Sequence, residues 1–502
     1  NSLRSVMPQQ DSLGAIRETD AVVDSALHDR DSRLHNEDLA PVPQAQRKWG
    51  AFAIFNVWTN DVQSLAGYTL AASLFIGAGI SGWGVFAAII LAGVVVMLLV
   101  NLSGRPSVRY GIPYAVMART QMGVIGAKVP ALIRGIVGMF WFGAQTYFAS
   151  TAVALALHAI FTYEPTGTFL GMTLIDWVAI VLVMAFQTYL FSRGLEGISR
   201  FLNFAGPAVY VVMILLLVGI WIQAGPELIT GVGTLFQGET TGWAAVVAFF
   251  GVMGTMIAYF AAVVVNFGDF SRQTTSVKAM RWGNFWGLPV SLAFFTFLAL
   301  FITAGAYMVY QGGTGEPATN PAEIVGLVGN TWLTVIAAIT FFLATVGINL
   351  VANFIPPAYD LANLVPSKIS FRMGGWITAV AGFIVGSLWV AVIGVIGLEK
   401  FVDTLGAVLA PLYGVLIVDY YLLRKQSLKL QDAFTMDKKG IYHFTNGWNV
   451  RALVACGVAS LFSIATVWLP FLQQLEGFAW LLGAFLGGLF HYIAMRKEII
   501  NG

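Results

Sequence analysis

Asn56, Thr59, Asn60, Asp61, Gln63 and Ser64 crowd into nine residues of an otherwise apolar run long enough to cross a bilayer. A carboxylate at mid-membrane costs about 2.5–3.5 kcal/mol on insertion scales. The block, residues 55–68 with Gly67 near its end, therefore reads in two ways. It is a broken helix lining a binding site at the membrane midplane, or a helix inside a bundle whose polar groups pair with neighbours. The clustering of the polar residues favours the site.

Two further stretches carry binding chemistry. Residues 140–147 read Phe-Trp-Phe-Gly-Ala-Gln-Thr-Tyr, with Trp141 and Gln145 four apart on one helix face. An indole is a flat stacking surface, and a carboxamide supplies an acceptor and two donors. The pair suits a flat heterocycle with alternating N–H and C=O groups. It equally suits a lipid-facing Trp beside a Gln paired to another helix. Asn349 and Asn353 share a face in residues 347–360, where two carboxamides are costly unless used by a ligand or by interhelical hydrogen bonds. No nucleophile elbow, metal-ligand cluster or phosphate loop is present, so an enzyme is not expected. Gly77-Ala78-Gly79-Ile80-Ser81-Gly82 matches a dinucleotide fingerprint by letter, but it joins two apolar runs and has no βαβ unit around it.

The elements that must hold these groups are membrane helices. The chain is 58% hydrophobic and 10% charged, against about 25% charged for a soluble protein. Apolar runs of about 20 residues recur, giving an all-α integral membrane protein. We count twelve transmembrane helices, near 50–77, 84–103, 127–157, 174–192, 202–224, 242–267, 284–310, 331–356, 374–397, 400–423, 450–470 and 474–495. Lys and Arg fall in alternate loops, and the opposite loops hold only Lys400. Both termini are then cytoplasmic. Residues 1–48, which open on Asn1 and carry no signal-peptide pattern, read as a largely disordered cytoplasmic tail. Cys456 is the single cysteine, the five histidines show no zinc spacing, and a net charge of +2 gives no reason to expect nucleic acid. The glycine pairs Gly382/Gly386 and Gly483/Gly487 fit small-residue packing within the chain.

The sixth run carries Gly251, Gly254 and Thr255 and then Tyr259, Phe260, Asn266 and Asp269. It lies five spans after the interrupted first run. Interrupted helices in corresponding positions point to inverted repeats around a shared site, with the last two spans outside the scheme.

Asp38-Leu39-Ala40-Pro41, the interrupted first run, residues 140–146, Val265-Asn266-Phe267-Gly268-Asp269-Phe270-Ser271-Arg272, Pro357-Ala358-Tyr359-Asp360 and Asp419-Tyr420-Tyr421-Leu422-Leu423-Arg424-Lys425 together resemble the nucleobase:cation symporter family. That family includes uracil, cytosine, allantoin and hydantoin permeases, and the match runs over about residues 35–495. The resemblance implies a LeuT-type five-plus-five inverted repeat with two extra C-terminal helices. The units are a tail at 1–48, repeats at 49–224 and 225–425, a cytoplasmic loop at 426–449, and 450–502. The resemblance also implies that Trp141 stacks on the substrate, with Gln145 and Asn353 bonding to it. Phe260, preceded by Tyr259, stands at the second stacking position, Ser64 at an amide position, and Asp61 and Asn349 close by. The family's Na⁺ positions fall on the carbonyls of Asn60, Gln63 and Ala344 and on two hydroxyl positions, here Gly347 and Ile348, which have no side-chain oxygen. Asp61, a carboxylate able to carry a proton, makes H⁺ the favoured coupling ion over Na⁺. Asp61 could instead be a structural partner or complete a Na⁺ site.

The expectation is an inner-membrane secondary transporter, monomeric, without cofactor, importing a small planar nitrogen heterocycle by cation-coupled alternating access. An amino-acid or amine transporter of the same fold is the alternative within the class; a channel or membrane sensor is the alternative outside it.

Overall fold

The computed structural model describes residues 31–162 and 166–500. Among these the protein is all helix, with isolated β-bridges and no strand. The helices that position the site are α1 (Ala51–Val62), α2 (Leu65–Gly77), α3 (Gly82–Tyr110), α4 (Lys128–Ile160), α5 (Leu174–Ser192), α6 (Gly194–Ala224) and α7 (Gly242–Val265). They are followed by α8 (Val277–Val309), α9 (Thr331–Asn353), α10 (Ile355–Leu364), α11 (Phe371–Ser387), α12 (Leu398–Leu423), α13 (Val450–Trp468) and α14 (Ala479–Ile500). Among the described residues nine helices are long and apolar enough to cross a membrane, or ten if the pair bent by 57° at Leu388 is one span. The broken α1–α2 and α4 stand outside that number. These are the segments whose polar residues were singled out above.

The first span breaks where the sequence places its polar block. Gln63 ends α1, and Ser64 turns to extended backbone (φ −61°, ψ 155°) and caps α2, its Oγ accepting from Gly67 N–H at 3.0 Å. A serine at an N-cap satisfies a donor that would otherwise be orphaned inside the bundle. The sixth span does not mirror this. α7 runs unbroken from Gly242 to Val265. Its glycines have another use: a methyl on Gly254 would lie 1.4 Å from the carbonyl oxygen of Gly477, so the glycine lets the 470–478 segment press against the helix.

The eighth span breaks instead. α9 stops at Asn353 and α10 restarts with Pro356 and Pro357 in its first turn. Proline has no N–H, so Pro356 leaves the Ala352 carbonyl without its helical donor. The buried Arg134 of α4 supplies one, Nη2 to Ala352 O at 3.1 Å.

α4 packs against α5, α9, α10 and α11. Gly382 closes on Phe142 and Gly386 on Gly143, and Gly483 and Gly487 close on Ser463 and Pro411, so both glycine pairs pack within the chain.

The tail expected at 1–48 is not loose over 31–48. Leu34 and Leu39 are buried. Asp38 Oδ2 accepts from Phe371 N–H at 2.9 Å, and Arg272 donates to the carbonyls of Asp38 (3.2 Å) and Ala40 (2.6 Å). Fixed polar contacts of this number outweigh the polarity that made the stretch read as tail. Residues 1–30 lie outside the described residues.

Candidate functional site

Trp141 and Gln145 sit one turn apart on α4, both buried. The Trp141 ring meets Tyr259 edge-on (centroids 5.5 Å, 90° between planes) and Phe401 of α12 in the same manner (5.3 Å, 76°). Phe260 was the expected second wall, and it is elsewhere. It is fully buried against Trp58 of α1, with ring centroids 5.9 Å apart at 76°. Neighbouring residues on an α-helix point about 100° apart, so α7 cannot turn both rings toward α4, and Tyr259 takes that side.

Tyr259 is the centre of the cluster. Its hydroxyl lies 3.1 Å from Asp61 Oδ1, 3.1 Å from the Asp61 carbonyl oxygen and 2.9 Å from Ser64 Oγ. Ser64 Oγ also accepts from Gln145 Nε2 at 3.3 Å. The other carboxamide atom, Gln145 Oε1, is buried and has no hydrogen-bond partner. A buried acceptor left open costs roughly 1–3 kcal/mol, so a donor from a ligand is the natural way to close it.

Asn349 is placed differently. Its Nδ2 reaches Gln187 Oε1 (2.7 Å), Thr146 Oγ1 (3.1 Å) and the Phe142 carbonyl (3.2 Å), and its Oδ1 accepts from Asn353 Nδ2 at 2.9 Å. Gln187 in turn donates to Thr146 at 3.1 Å. Asn349 was expected at the substrate; it instead closes a network joining α4, α5 and α9. Asn353 touches that network and is one turn further along α9.

The polar block of the first span divides by face. Asp61 and Ser64 turn to α7. Asn56 and Asn60 turn to α6, donating to Asn203 Oδ1 (3.1 Å) and to the Leu202 carbonyl (3.2 Å). Asn60, Gln63, Ala344, Gly347 and Ile348 are all buried, and α1 packs against α9. Gly347 is there for close approach: a methyl at that position would lie 2.8 Å from Leu202 Cδ2 and 3.1 Å from Asn60 Oδ1. The hydroxyl that α9 does bring to the break is Thr345, whose Oγ1 accepts from Leu65 N–H at 3.0 Å.

Thr146, Gln187, Thr345 and Phe401 were not foreseen. Gln187 had a signal, being a carboxamide inside an apolar span. Phe401 had none, since one phenylalanine among 37 cannot be told from the rest.

The family model described as permeases for cytosine/purines, uracil, thiamine and allantoin matches residues 41–489. The chain belongs to that family. An allantoin permease of Bacillus subtilis is 31% identical over 93% of this chain and 94% of its own. A purine-uracil permease of Arabidopsis thaliana is 30% identical over 85% of this chain and 70% of its own. Among solved structures, a closed conformation of Mhp1, a nucleobase-cation-symport-1 family transporter with bromovinylhydantoin bound, superposes with a TM-score of 0.75. It is 23% identical and covers 93% of this chain and 96% of its own, a likeness of fold. The permease is thus a multi-pass membrane transporter of LeuT-type fold, and its relatives are transporters and not enzymes.

Proposed function

We propose that this permease imports a small planar nitrogen heterocycle across the cell inner membrane, coupled to protons, by alternating access around the Trp141–Gln145–Tyr259 cluster. The observation that carries the reading is the buried, unpartnered Oε1 of Gln145 one turn from a buried indole. A flat ring with a hydrogen-bonding edge answers both features. Allantoin is the first candidate, because the relative that matches over nearly its whole length at 31% identity is an allantoin permease; uracil and hydantoins follow.

Proton coupling is supported by what stands at the α1–α9 contact. A hard cation needs several oxygen ligands. Position 347 is a glycine closed against Asn60 and Leu202, and 348 is an isoleucine. Asp61 is the carboxylate within the cluster. The Lys and Arg distribution supports cytoplasmic termini.

The test is uptake of radiolabelled allantoin into proteoliposomes, with unlabelled uracil, hydantoin and amino acids as competitors. We expect competition by the heterocycles alone, accumulation driven by a pH gradient in Na⁺-free buffer, and loss of that accumulation in Asp61→Asn. Trp141→Ala abolishes uptake while the protein still inserts. Accumulation that requires Na⁺ overturns proton coupling, and competition by amino acids overturns the substrate class.

A further inference from the structure

We propose that the neighbouring ends of α12, α13 and α14 hold an anionic phospholipid of the cytoplasmic leaflet, its phosphate between Lys429 and Arg451 and one acyl chain in a groove along α13 and α14. Only the cytoplasmic orientation is taken from the reading above; the heterocycle site plays no part.

The headgroup end is a chamber of about 860 Å³, within the range of about 300–1,000 Å³ usual for small-ligand sites. Arg424, Lys429 and Arg451 line it against one carboxylate, Glu498. Arg424 is already engaged: its Nε donates to the buried Asp419 at 2.8 Å and its Nη2 to the Thr120 carbonyl at 2.8 Å. Lys429 is exposed and forms no ion pair among the described residues. Arg451 pairs with Glu498 at 3.1 Å, but the two side chains are 59% and 54% exposed, and such surface pairs are weak. The same Nη1 donates to the Ala494 carbonyl at 3.2 Å, which fixes the guanidinium beside α14. Two reachable cations against one loosely held carboxylate leave positive charge for a phosphate. Ser427 and Thr445 add hydroxyl donors to the lining.

The chamber continues into the membrane span. Val450 and Arg451 also line a second cavity, of about 490 Å³. Its remaining lining is apolar: Val454, Ala455, Val458, Phe490, Ile493 and Ala494. α13 rises about 12 Å from Val450 to Val458, so the groove leads from the cations into the hydrocarbon region. A free phosphate has no use for the groove, and an uncharged lipid has no use for the cations. A phospholipid of net negative charge answers both. The depth agrees: Trp448 lines the chamber two residues before α13 begins, and tryptophan is enriched at headgroup level. With the cytoplasmic orientation, this end of α13 faces the leaflet that carries anionic lipid, where basic pockets between membrane helices bind acidic head groups.

The site spans three elements. Lys429 follows α12, Arg451 stands in the first turn of α13, and α14 supplies one wall of the groove. Beside it, Asp419 of α12 holds Arg424 and lies 2.9 Å from His491 Nε2 of α14. A lipid seated here fastens α13 to that contact. A ligand bound by the folded protein alone raises its melting temperature.

Native mass spectrometry of the full-length protein in detergent, titrated with phosphatidylglycerol or with phosphatidylcholine of the same acyl chains, counts bound lipid. Melting curves on the same samples add glycerol 3-phosphate and inorganic phosphate as headgroup-only arms. Phosphatidylglycerol should bind about fivefold or more tighter than phosphatidylcholine and raise the melting temperature, and neither small phosphate should do so. Lys429→Gln and, independently, Arg451→Gln should each weaken phosphatidylglycerol by about fivefold, the factor for one cation at an anionic surface, and leave phosphatidylcholine unchanged. Ala494→Leu, which fills the groove, should weaken phosphatidylglycerol with every charge in place. Phosphatidylglycerol that binds no tighter than phosphatidylcholine, or that keeps its preference in both charge variants, overturns the proposal. Inorganic phosphate that raises the melting temperature as far as the lipid does gives the chamber to a free anion and overturns it. A lipid-free dimer that both charge variants dissociate gives the surface to a second copy and overturns it as well. None of these outcomes depends on a transported ligand, so the lipid site and the heterocycle reading fail separately.

Discussion

Two polar clusters lie within one turn of each other on α4, and they differ in whether their hydrogen bonds close. Around Asn349 the carboxamide is engaged at both ends, by Gln187, Thr146 and Phe142 on one side and by Asn353 on the other. Around Tyr259 the chain ends in an open acceptor at Gln145. Both clusters are buried among apolar helices, and both consist of uncharged amides and hydroxyls apart from Asp61. The difference separates a group that holds helices together from one that waits for a ligand. A satisfied network fixes α4, α5 and α9 relative to each other. An unsatisfied one costs stability in the empty protein, and it persists where function maintains it.

The strongest way to break this comparison is Gln145→Ala. It removes the open acceptor and the donor to Ser64. We expect allantoin affinity to fall by about 1–3 kcal/mol, roughly 5- to 150-fold at 1.4 kcal/mol per tenfold, with thermal stability nearly unchanged. Calorimetry and a melting curve on the same preparation read both quantities. A Gln145→Ala protein that binds as wild type does, but melts lower, would place Gln145 in the structural cluster.

Asn349→Ala should behave in the opposite sense. It removes four hydrogen bonds, each worth about 0.6 kcal/mol on average in membrane proteins, so the loss of stability is about 2 kcal/mol. Gln187 and Thr146 keep their own bond, which limits the damage. Affinity should change less than in Gln145→Ala. A larger loss of affinity than of stability would return Asn349 to the ligand, where the sequence reading first placed it.

The sequence made some of this legible and not the rest, for reasons that follow from geometry. The broken first span was legible because six polar residues in an apolar run need either a break or partners, and Ser64 at the break is an N-cap type. Trp141 and Gln145 were legible as a pair because spacing of four fixes a common face. Phe260 was misplaced because adjacent residues point apart on a helix, and the rotation of α7 depends on its tertiary contacts. The glycines of α7 suggested a break by their number, but Gly254 is there for the backbone of Gly477, a contact more than 200 residues away in sequence. Asn349 and Gln145 are alike in sequence as carboxamides in apolar helices. Only the positions of Gln187 and Thr146 tell them apart.

Asn353 is the residue on which the two clusters meet, and its substitution is the smallest and most discriminating test. Its Nδ2 donates to Asn349 Oδ1 at 2.9 Å, so in the structural cluster Asn353→Ala removes one interhelical-type bond, about 0.6 kcal/mol. Groups in one hydrogen-bond network are not additive. The double variant Asn349→Ala/Asn353→Ala should therefore melt close to Asn349→Ala alone, because the bond that Asn353 makes is already gone. Were Asn353 a ligand contact, as its resemblance to family positions implies, Asn353→Ala would lower allantoin affinity, and the double variant would show that loss in full on top of the change in melting. A double-variant cycle read for stability and for Kd assigns the residue. Coupling in stability with no change in Kd puts Asn353 with Asn349. An affinity loss of 5-fold or more, on the order expected for an unpaired ligand group, puts it with Gln145 and extends the open cluster one turn along α9.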